Sequence, residues 1–171
     1  MERAEIRRFV DRLGIAATDQ GVRLIRAWRF APPASARARR LAEQARKELR
    51  QYLEGRRTFF TVPVTLTGLP EFQRKVLAAV LAIPFGEARS YTWVARRIGR
   101  PRAARAVGTA LARNPVPMIV PCHRVRRSDG SLGGYLFGLS FKDRLLALEH
   151  VDRPKRGLAG RPIRLTRRAG R

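Results

Sequence analysis

The chain holds a single cysteine, Cys122, in 171 residues. No disulfide can form within it, and no cysteine-rich zinc site can be built. Its two histidines, His123 and His150, are too few for a self-sufficient metal cage, so neither a metal nor a cofactor is expected. Acidic residues are scarce: 13 Asp and Glu stand against 37 Lys and Arg, a formal charge of +24. Lysine is scarce as well, with Lys47, Lys75, Lys142 and Lys155 the only four, so nearly all the positive charge is arginine. No apolar run approaches the ~18 residues that a membrane span requires. Charges run through Met1 to Leu13, where a leader would need an apolar stretch. A reducing, cytoplasmic compartment is expected, nucleoid-associated if the source is prokaryotic, with no membrane association.

What is present is a hydrophobic fraction of 44%, enough for a folded core. The length suits one large domain or two small ones. So large a positive excess concentrates phosphates around the molecule and points to nucleic acid as the partner. Residues 152–171 carry eight basic residues and one acidic residue, and the remainder is strongly basic without them. That segment has no periodicity and reads as a mobile tail that adds nonspecific affinity for polyanions.

Ile6, Phe9, Val10 and Leu13 recur at helical spacing, with Gly14 as the stop. Residues 15–30 read as two strands around a turn at Asp19-Gln20-Gly21, and Pro32-Pro33 breaks the chain. A helix follows from about Ser35 to Glu54, with Leu41, Ala45, Leu49, Tyr52 and Leu53 on one side and Gly55 at its end. Residues 58–66 (TFFTVPVTL) predict a strand, an edge strand because of Pro63. The domain boundary is placed at 66/67. Beyond it the texture is short helices: 70–82; 91–98, capped by Ser90; and 102–113, after the turn at Gly99-Arg100-Pro101. This is a helix-turn-helix layout. Ser140 and Asp143 predict a capping box for a last helix, 141–150.

Cys122 sits between Pro121 and His123, among arginines. A lone cysteine is by default a small buried apolar residue. Here the adjacent imidazole can accept the thiol proton, and nearby positive charge is expected to lower the thiol's proton affinity. Pro115, Pro117 and Pro121 stiffen the approach. A histidine acting as base needs an acceptor on its other nitrogen; Asp129, Asp143 and Glu149 are the candidates, and the pattern alone does not choose among them.

The segment Pro121-Cys122-His123-Arg124-Val125 resembles the active-site signature of O6-alkylguanine-DNA alkyltransferases. It is preceded by Arg105-Ala106-Val107-Gly108 and by residues 112–117 (ARNPVP). It is followed by residues 130–135 (GSLGGY) and by Lys142 with Leu145, Leu146, Leu148 and Glu149. Upstream, Phe72-Gln73 and residues 83–91 (IPFGEARSY) are also similar to the family. The likeness is dense over 70–150 and weak over 1–66. It implies an α+β fold of two domains, 1–66 and 67–151. The first is a ribonuclease-H-like α/β domain with a small sheet, the second a mostly helical, winged-helix-like domain with a helix-turn-helix.

The resemblance further implies repair of double-stranded DNA by a monomer that takes an alkyl group, chiefly methyl, from O6 of guanine, and from O4 of thymine, onto Cys122 once and irreversibly. His123 would act as base through a water, Glu149 would orient it, and Tyr91 would donate to the leaving purine. Arg105 would fill the stack after the base is flipped out. Asn114, Ala106, Ala110, Arg113 and Arg124 would belong to the DNA-binding surface, with Asn114 bracing the recognition helix. Val125, Tyr135, Leu136, Phe137 and Lys142 would form the pocket, with the carbonyls of Cys122 and Val125 facing the guanine amine. Leu136-Phe137 replaces the Ser-Gly of many relatives, and Phe137 is expected to narrow the pocket and favour methyl over benzyl adducts. The alternatives are an alkylated-DNA-binding protein without chemistry, a cysteine hydrolase, which leaves the charge unexplained, and a zinc enzyme, which the ligand count opposes.

Overall fold

A computed structural model describes residues 2–26 and 35–151. Its architecture is mixed α/β, with six α-helices and two small sheets among the described residues. The predicted continuation of the second strand to residue 30, the Pro32-Pro33 break and the 152–171 tail lie outside them.

Helix α1 (Arg3–Arg12) turns Ile6 and Val10 inward and closes at an extended Leu13, while Gly14 opens a strand rather than capping the helix. Strands β1 (Gly14–Thr18) and β2 (Gly21–Arg26) form an antiparallel hairpin at the predicted turn, with an irregularity between Ala16 and Ala17. Helix α2 (Ala36–Leu53) starts at Ser35, whose hydroxyl accepts from the Ala38 N–H at 2.9 Å. Ala38, Ala42, Ala45, Leu49 and Tyr52 form its buried stripe, at the spacing of a core-facing helix. Gly55, at φ +72°, ends it with the paired backbone hydrogen bonds of a Schellman turn.

Residues 58–66 do not form the predicted strand. Only Val64 pairs, as a single bridge to Val22. The backbone of this run finds another partner: Glu48, buried on α2, accepts from the N–H groups of Thr61 at 2.8 Å and Val62 at 3.2 Å and from the Thr61 hydroxyl. A side chain thus does what a neighbouring strand would do. Burial pushes the Glu48 carboxyl up, but these donors together with Gln44 outweigh it and hold it below its usual range.

Helix α3 (Glu71–Leu81) precedes a two-residue strand, β3 (Arg89–Ser90), and helix α4 (Tyr91–Arg97). As expected, Ser90 caps α4 through the Trp93 N–H at 3.0 Å. Helix α5 (Ala104–Ala112) follows the turn at Gly99. A single 3₁₀ turn, Cys122–Arg124, runs into β4 (Val125–Arg126), which pairs in parallel with β3. This pairing sets Tyr91, at the start of α4, beside the cysteine segment. Helix α6 (Leu139–Leu148) begins at Gly138 with no side-chain cap, so the predicted Ser140–Asp143 box does not form. One continuous apolar cluster runs from Ile6 and Val10 through Leu49 and Tyr52 to Val76, Val94, Val107, Val120 and Leu145. No helix among the described residues is long and apolar enough to cross a membrane.

Candidate active site

Cys122 reaches its position through a stiff, buried segment. Met118 holds a left-handed φ of 71°, and Val120 and Cys122 bond back to Val116 and Val120 at 2.9 and 2.8 Å. Asn114, at the end of α5, clamps the segment: its Nδ2 donates to the Val120 carbonyl at 3.0 Å and to Cys122 Sγ at 3.1 Å, and its Oδ1 accepts from Val116 N–H at 3.0 Å. Gln73 on α3 ties down the same helix end by donating to the carbonyls of Ala110 and Arg113.

The sulfur lies at a cleft of about 690 Å³ lined by α4, α5 and the loops at 127–128 and 133–136. Tyr91, Arg105, Asn114, Tyr135 and Leu136 all contribute to its walls. The Tyr91 ring packs on Gly108, and its hydroxyl comes so close to Gly133 that a Cβ there would fall 2.6 Å from it. Gly133 also holds φ +62°, so both conformation and space favour glycine. Arg105, Ala106 and Arg113 are exposed on or just after α5, whereas Ala110 is buried with Val107 and Leu111. The helical period therefore takes Ala110 off the predicted DNA-facing surface.

Behind the sulfur lies a buried polar network. Arg124 was expected at the DNA; instead its Nε and Nη2 grip the two oxygens of Glu149 at 2.8 Å each, and Nη1 donates to the Ile83 carbonyl at 2.6 Å. A guanidinium so engaged is not offered to solvent. Among the three acids left open by the pattern, Glu149 is the one that meets the imidazole, with Oε1 2.9 Å from His123 Nε2. Glu149 is positioned by the end of α6, where His150 takes φ 55° and the His150 and Val151 N–H groups bond to Ala147 and Leu146.

Tyr52, which sequence reasoning placed only on an apolar helix face, reaches in from α2 and donates to Glu149 Oε1 at 2.5 Å, with its oxygen 3.2 Å from His123 Nε2. Burial pushes the Glu149 carboxyl up, but the hydrogen bonds and charges of His123 and Arg124 prevail and hold it down at about 2. An ionised carboxylate only accepts, so Nε2 carries the imidazole proton and Nδ1 is the basic atom. Nδ1 is buried and has no partner among the described residues.

Burial lowers the proton affinity of His123, and Arg124 and Lys142 add to this against the pull of Glu149. Burial also raises the Cys122 thiol above its ordinary range, against the opposing contributions of Asn114 and Lys142. The expectation that nearby positive charge leaves it lowered does not hold, because desolvation outweighs the contribution of Lys142. Tyr91 is raised by burial and by the neighbouring sulfur.

Lys142 is fully buried, and its Nζ donates to the carbonyls of Val125, at 2.6 Å, and Leu132. It thus joins the cysteine segment to the pocket loop, and burial brings its amine down to about 8. The Val125 side chain is buried away from the cleft. Phe137 is not a lining residue either. It packs in an aromatic group with Phe9 at 5.6 Å, Phe141 at 5.7 Å and Tyr135 at 6.0 Å, which removes the reason for expecting it to narrow the pocket. Leu136 does line the cleft and is 53% exposed.

Residues 71–151 match the family described as 6-O-methylguanine DNA methyltransferase, DNA binding domain. An inducible methylated-DNA–protein-cysteine methyltransferase of Bacillus subtilis is 50% identical over 102 residues, covering 60% of this chain and 56% of that protein. A methylated-DNA–protein-cysteine methyltransferase of Methanosarcina acetivorans is 46% identical over 106 residues, covering 62% of this chain and 67% of that protein. The matched stretch thus spans a little over half to two thirds of these curated relatives. The crystal structure of Mycobacterium tuberculosis OGT in complex with DNA is 38% identical, with a TM-score of 0.70 over 81% of this chain and 86% of that one. The O6-methylguanine-DNA methyltransferase of Pyrococcus kodakaraensis is 27% identical, with a TM-score of 0.57 over 80% and 90%. With Cys122 at the cleft and Glu149 on the imidazole beside it, the chain belongs to the methylated-DNA–protein-cysteine methyltransferase family.

Proposed function

We propose that the protein repairs double-stranded DNA by moving an alkyl group, chiefly methyl, from O6 of guanine to Cys122, once per molecule. O4 of thymine is the second substrate under this reading. The observation that carries it is the placement of the one sulfur, at an open cleft beside Tyr91 and backed by the His123–Glu149 pair. At rest the buried thiol is protonated. His123 Nδ1 takes its proton through a water, leaving a thiolate that the Asn114 amide steadies. The thiolate attacks the alkyl carbon, an S–C bond forms, and the C–O6 bond breaks with its electron pair passing to the guanine. Tyr91, kept protonated by burial, donates to the departing purine and stabilises the developing charge. The thioether has no easy way back, so each molecule acts once.

The alkyl carbon is out of reach in a stacked duplex, so the base is turned out at a cost of a few kcal/mol. Arg105, exposed at the rim on α5, takes its place in the stack. Helices α4 and α5 act as the helix-turn-helix, with Ala106 and Ala112 allowing close approach to a groove. Exposed Arg96, Arg97, Arg100, Arg102 and Arg113 face the phosphates. The backbone N–H of Leu136 bonds O6. Residues 67–151 carry the DNA-binding and transfer apparatus as a monomer, and residues 1–66 support it from behind.

Intact-mass measurement after mixing with O6-methylguanine duplex tests the reading. A gain of one methyl, mapped to Cys122, is expected, and Cys122→Ser is expected to bind the duplex without gaining mass. Binding of wild-type protein with no mass gain would instead establish a lesion-binding protein. Repair by Cys122→Ser would overturn the proposal.

A further inference from the structure

Glu149 Oε1 accepts three donors: Tyr52 Oη at 2.5 Å, Arg124 Nη2 at 2.8 Å and His123 Nε2 at 2.9 Å. Three donors at one oxygen share its charge, and whatever one takes is withheld from the others. We propose that Tyr52 is a positioning residue for the transfer reaction, its hydroxyl limiting the charge that Glu149 presents to His123 and so setting the pH at which Nδ1 can accept the Cys122 proton. This rests on the reading of His123 as the base.

The geometry gives Tyr52 few other functions. It is 1% exposed, lies outside the cleft, and is wedged between Phe60 and Phe85 at ring distances of 5.2 and 6.4 Å, with its hydroxyl turned into the network. The groups facing His123 are Tyr52 from α2; Cys122 and Arg124 from its own turn; Tyr135 from the pocket loop; and Lys142 and Glu149 from α6 and its end. The 83–86 segment supplies only backbone groups and the Phe85 ring: the Ile83 carbonyl to Arg124 and the Gly86 N–H to Glu149 at 3.4 Å. Removing the Tyr52 hydroxyl has two opposite effects on His123. Nε2–H loses a neutral acceptor at 3.2 Å, which lowers the basicity of Nδ1. Glu149 loses a short donor and turns more of its charge on the imidazole, which raises it. A bond to an ionised group is about twice as strong as a neutral one, so the second effect prevails.

The test uses the full chain labelled with ¹⁵N-histidine, with exposed His150 as internal reference. His123 is titrated by NMR in wild type and in Tyr52→Phe, and the single-turnover transfer rate is measured against pH in both. The His123 titration and the acid limb of the rate profile are expected to move up together by about one pH unit, because a group losing competition for its counter-charge shifts on that scale. One pH unit below the wild-type limb this is about a tenfold loss of rate. The alkaline plateau stays within about threefold, since the neutral imidazole is intact there.

In Glu149→Gln the same Tyr52 change should produce no upward shift, because the charge it competes for is gone and only the small downward effect of the lost neutral acceptor remains. Site-specific 3-fluorotyrosine at position 52, a stronger donor of the same shape, should move both readouts down, and it serves if Tyr52→Phe fails to fold. Unmoved titrations in both variants, or an equal shift in Glu149→Gln, would overturn the proposal. A titration that shifts while the acid limb does not would uphold the coupling between Tyr52 and His123 and reject the base role assigned to His123 above.

Discussion

Behind Cys122, four side chains from three distant parts of the chain, Tyr52, His123, Arg124 and Glu149, are buried and bonded to one another. In front of it, Arg105 and Leu136 are exposed and Tyr91 is half-buried at the wall of an open cleft. The rear is an arrangement in which removing any member leaves a charge or a polar atom stranded in a dry interior. The front is one in which side chains stand exposed or half-buried at an open cleft. Stability and chemistry should therefore be inseparable behind the sulfur and separable before it.

The largest effect expected is at the rear. Arg124→Ala leaves the Glu149 carboxylate buried without its cation, and breaking such a pair from one side costs about 3–5 kcal/mol. Denaturant unfolding should register this loss, and a loss below about 1 kcal/mol would mean that the rear network is not a closed unit. Next comes Gly133→Ala, at the seam between the two regions. It combines strain at φ +62° with a Cβ 2.6 Å from the Tyr91 hydroxyl, so a loss of about 1–2 kcal/mol is expected together with slower transfer and unchanged duplex affinity. Equal transfer rates would show that Tyr91 does not need its observed position.

Arg105→Ala belongs wholly to the front. Its stability should stay within about 0.5 kcal/mol of wild type, while under the proposed flipping step transfer from a duplex falls about tenfold or more, because the flipped state would lose the group that fills its gap. Transfer from a single-stranded oligonucleotide should be nearly untouched. A duplex rate equal to wild type would remove Arg105 from the flipping step.

The same division explains which residues the sequence makes readable. Most signals carried within a few positions survive into the structure, the Ser140–Asp143 box and the Gly14 stop being the exceptions. Ser90 caps α4, Gly55 and Gly99 end their helices, and Cys122 with its prolines forms a stiff segment at a cleft. Contacts over long separations are not legible. Tyr52 meets His123 and Glu149 across 71 and 97 positions, and at the level of periodicity it is only one more member of an apolar stripe. Arg124 reads as a surface cation by residue type, and only the fold reveals that an acid 25 positions away captures it. The strand predicted at 58–66 fails for the same reason: its composition favours extended backbone, but Glu48 on α2 supplies the acceptors that a sheet would otherwise provide. Phe137 reads as a pocket residue by its place in a motif, whereas in the fold it packs against Phe9 and Phe141 and does not line the cleft.

The smallest effect expected concerns how Glu149 is delivered to the rear network. It stands at the end of α6, and the next residue, His150, is exposed with φ 55°, a left-handed conformation that the closing turn requires. A non-glycine residue in that conformation costs about 1–2 kcal/mol. Glycine would escape that strain but would lose about 0.5–1 kcal/mol to its freedom in the unfolded chain. The difference leaves His150→Gly more stable than wild type by about 0.5 kcal/mol, with the turn and the position of Glu149 retained. Denaturant unfolding should show the gain, and the transfer rate should be unchanged because the imidazole of His150 faces solvent. A loss of stability would mean that the His150 side chain secures the end of α6. A loss of rate without one would mean that the placement of Glu149 depends on the stiffness of this turn.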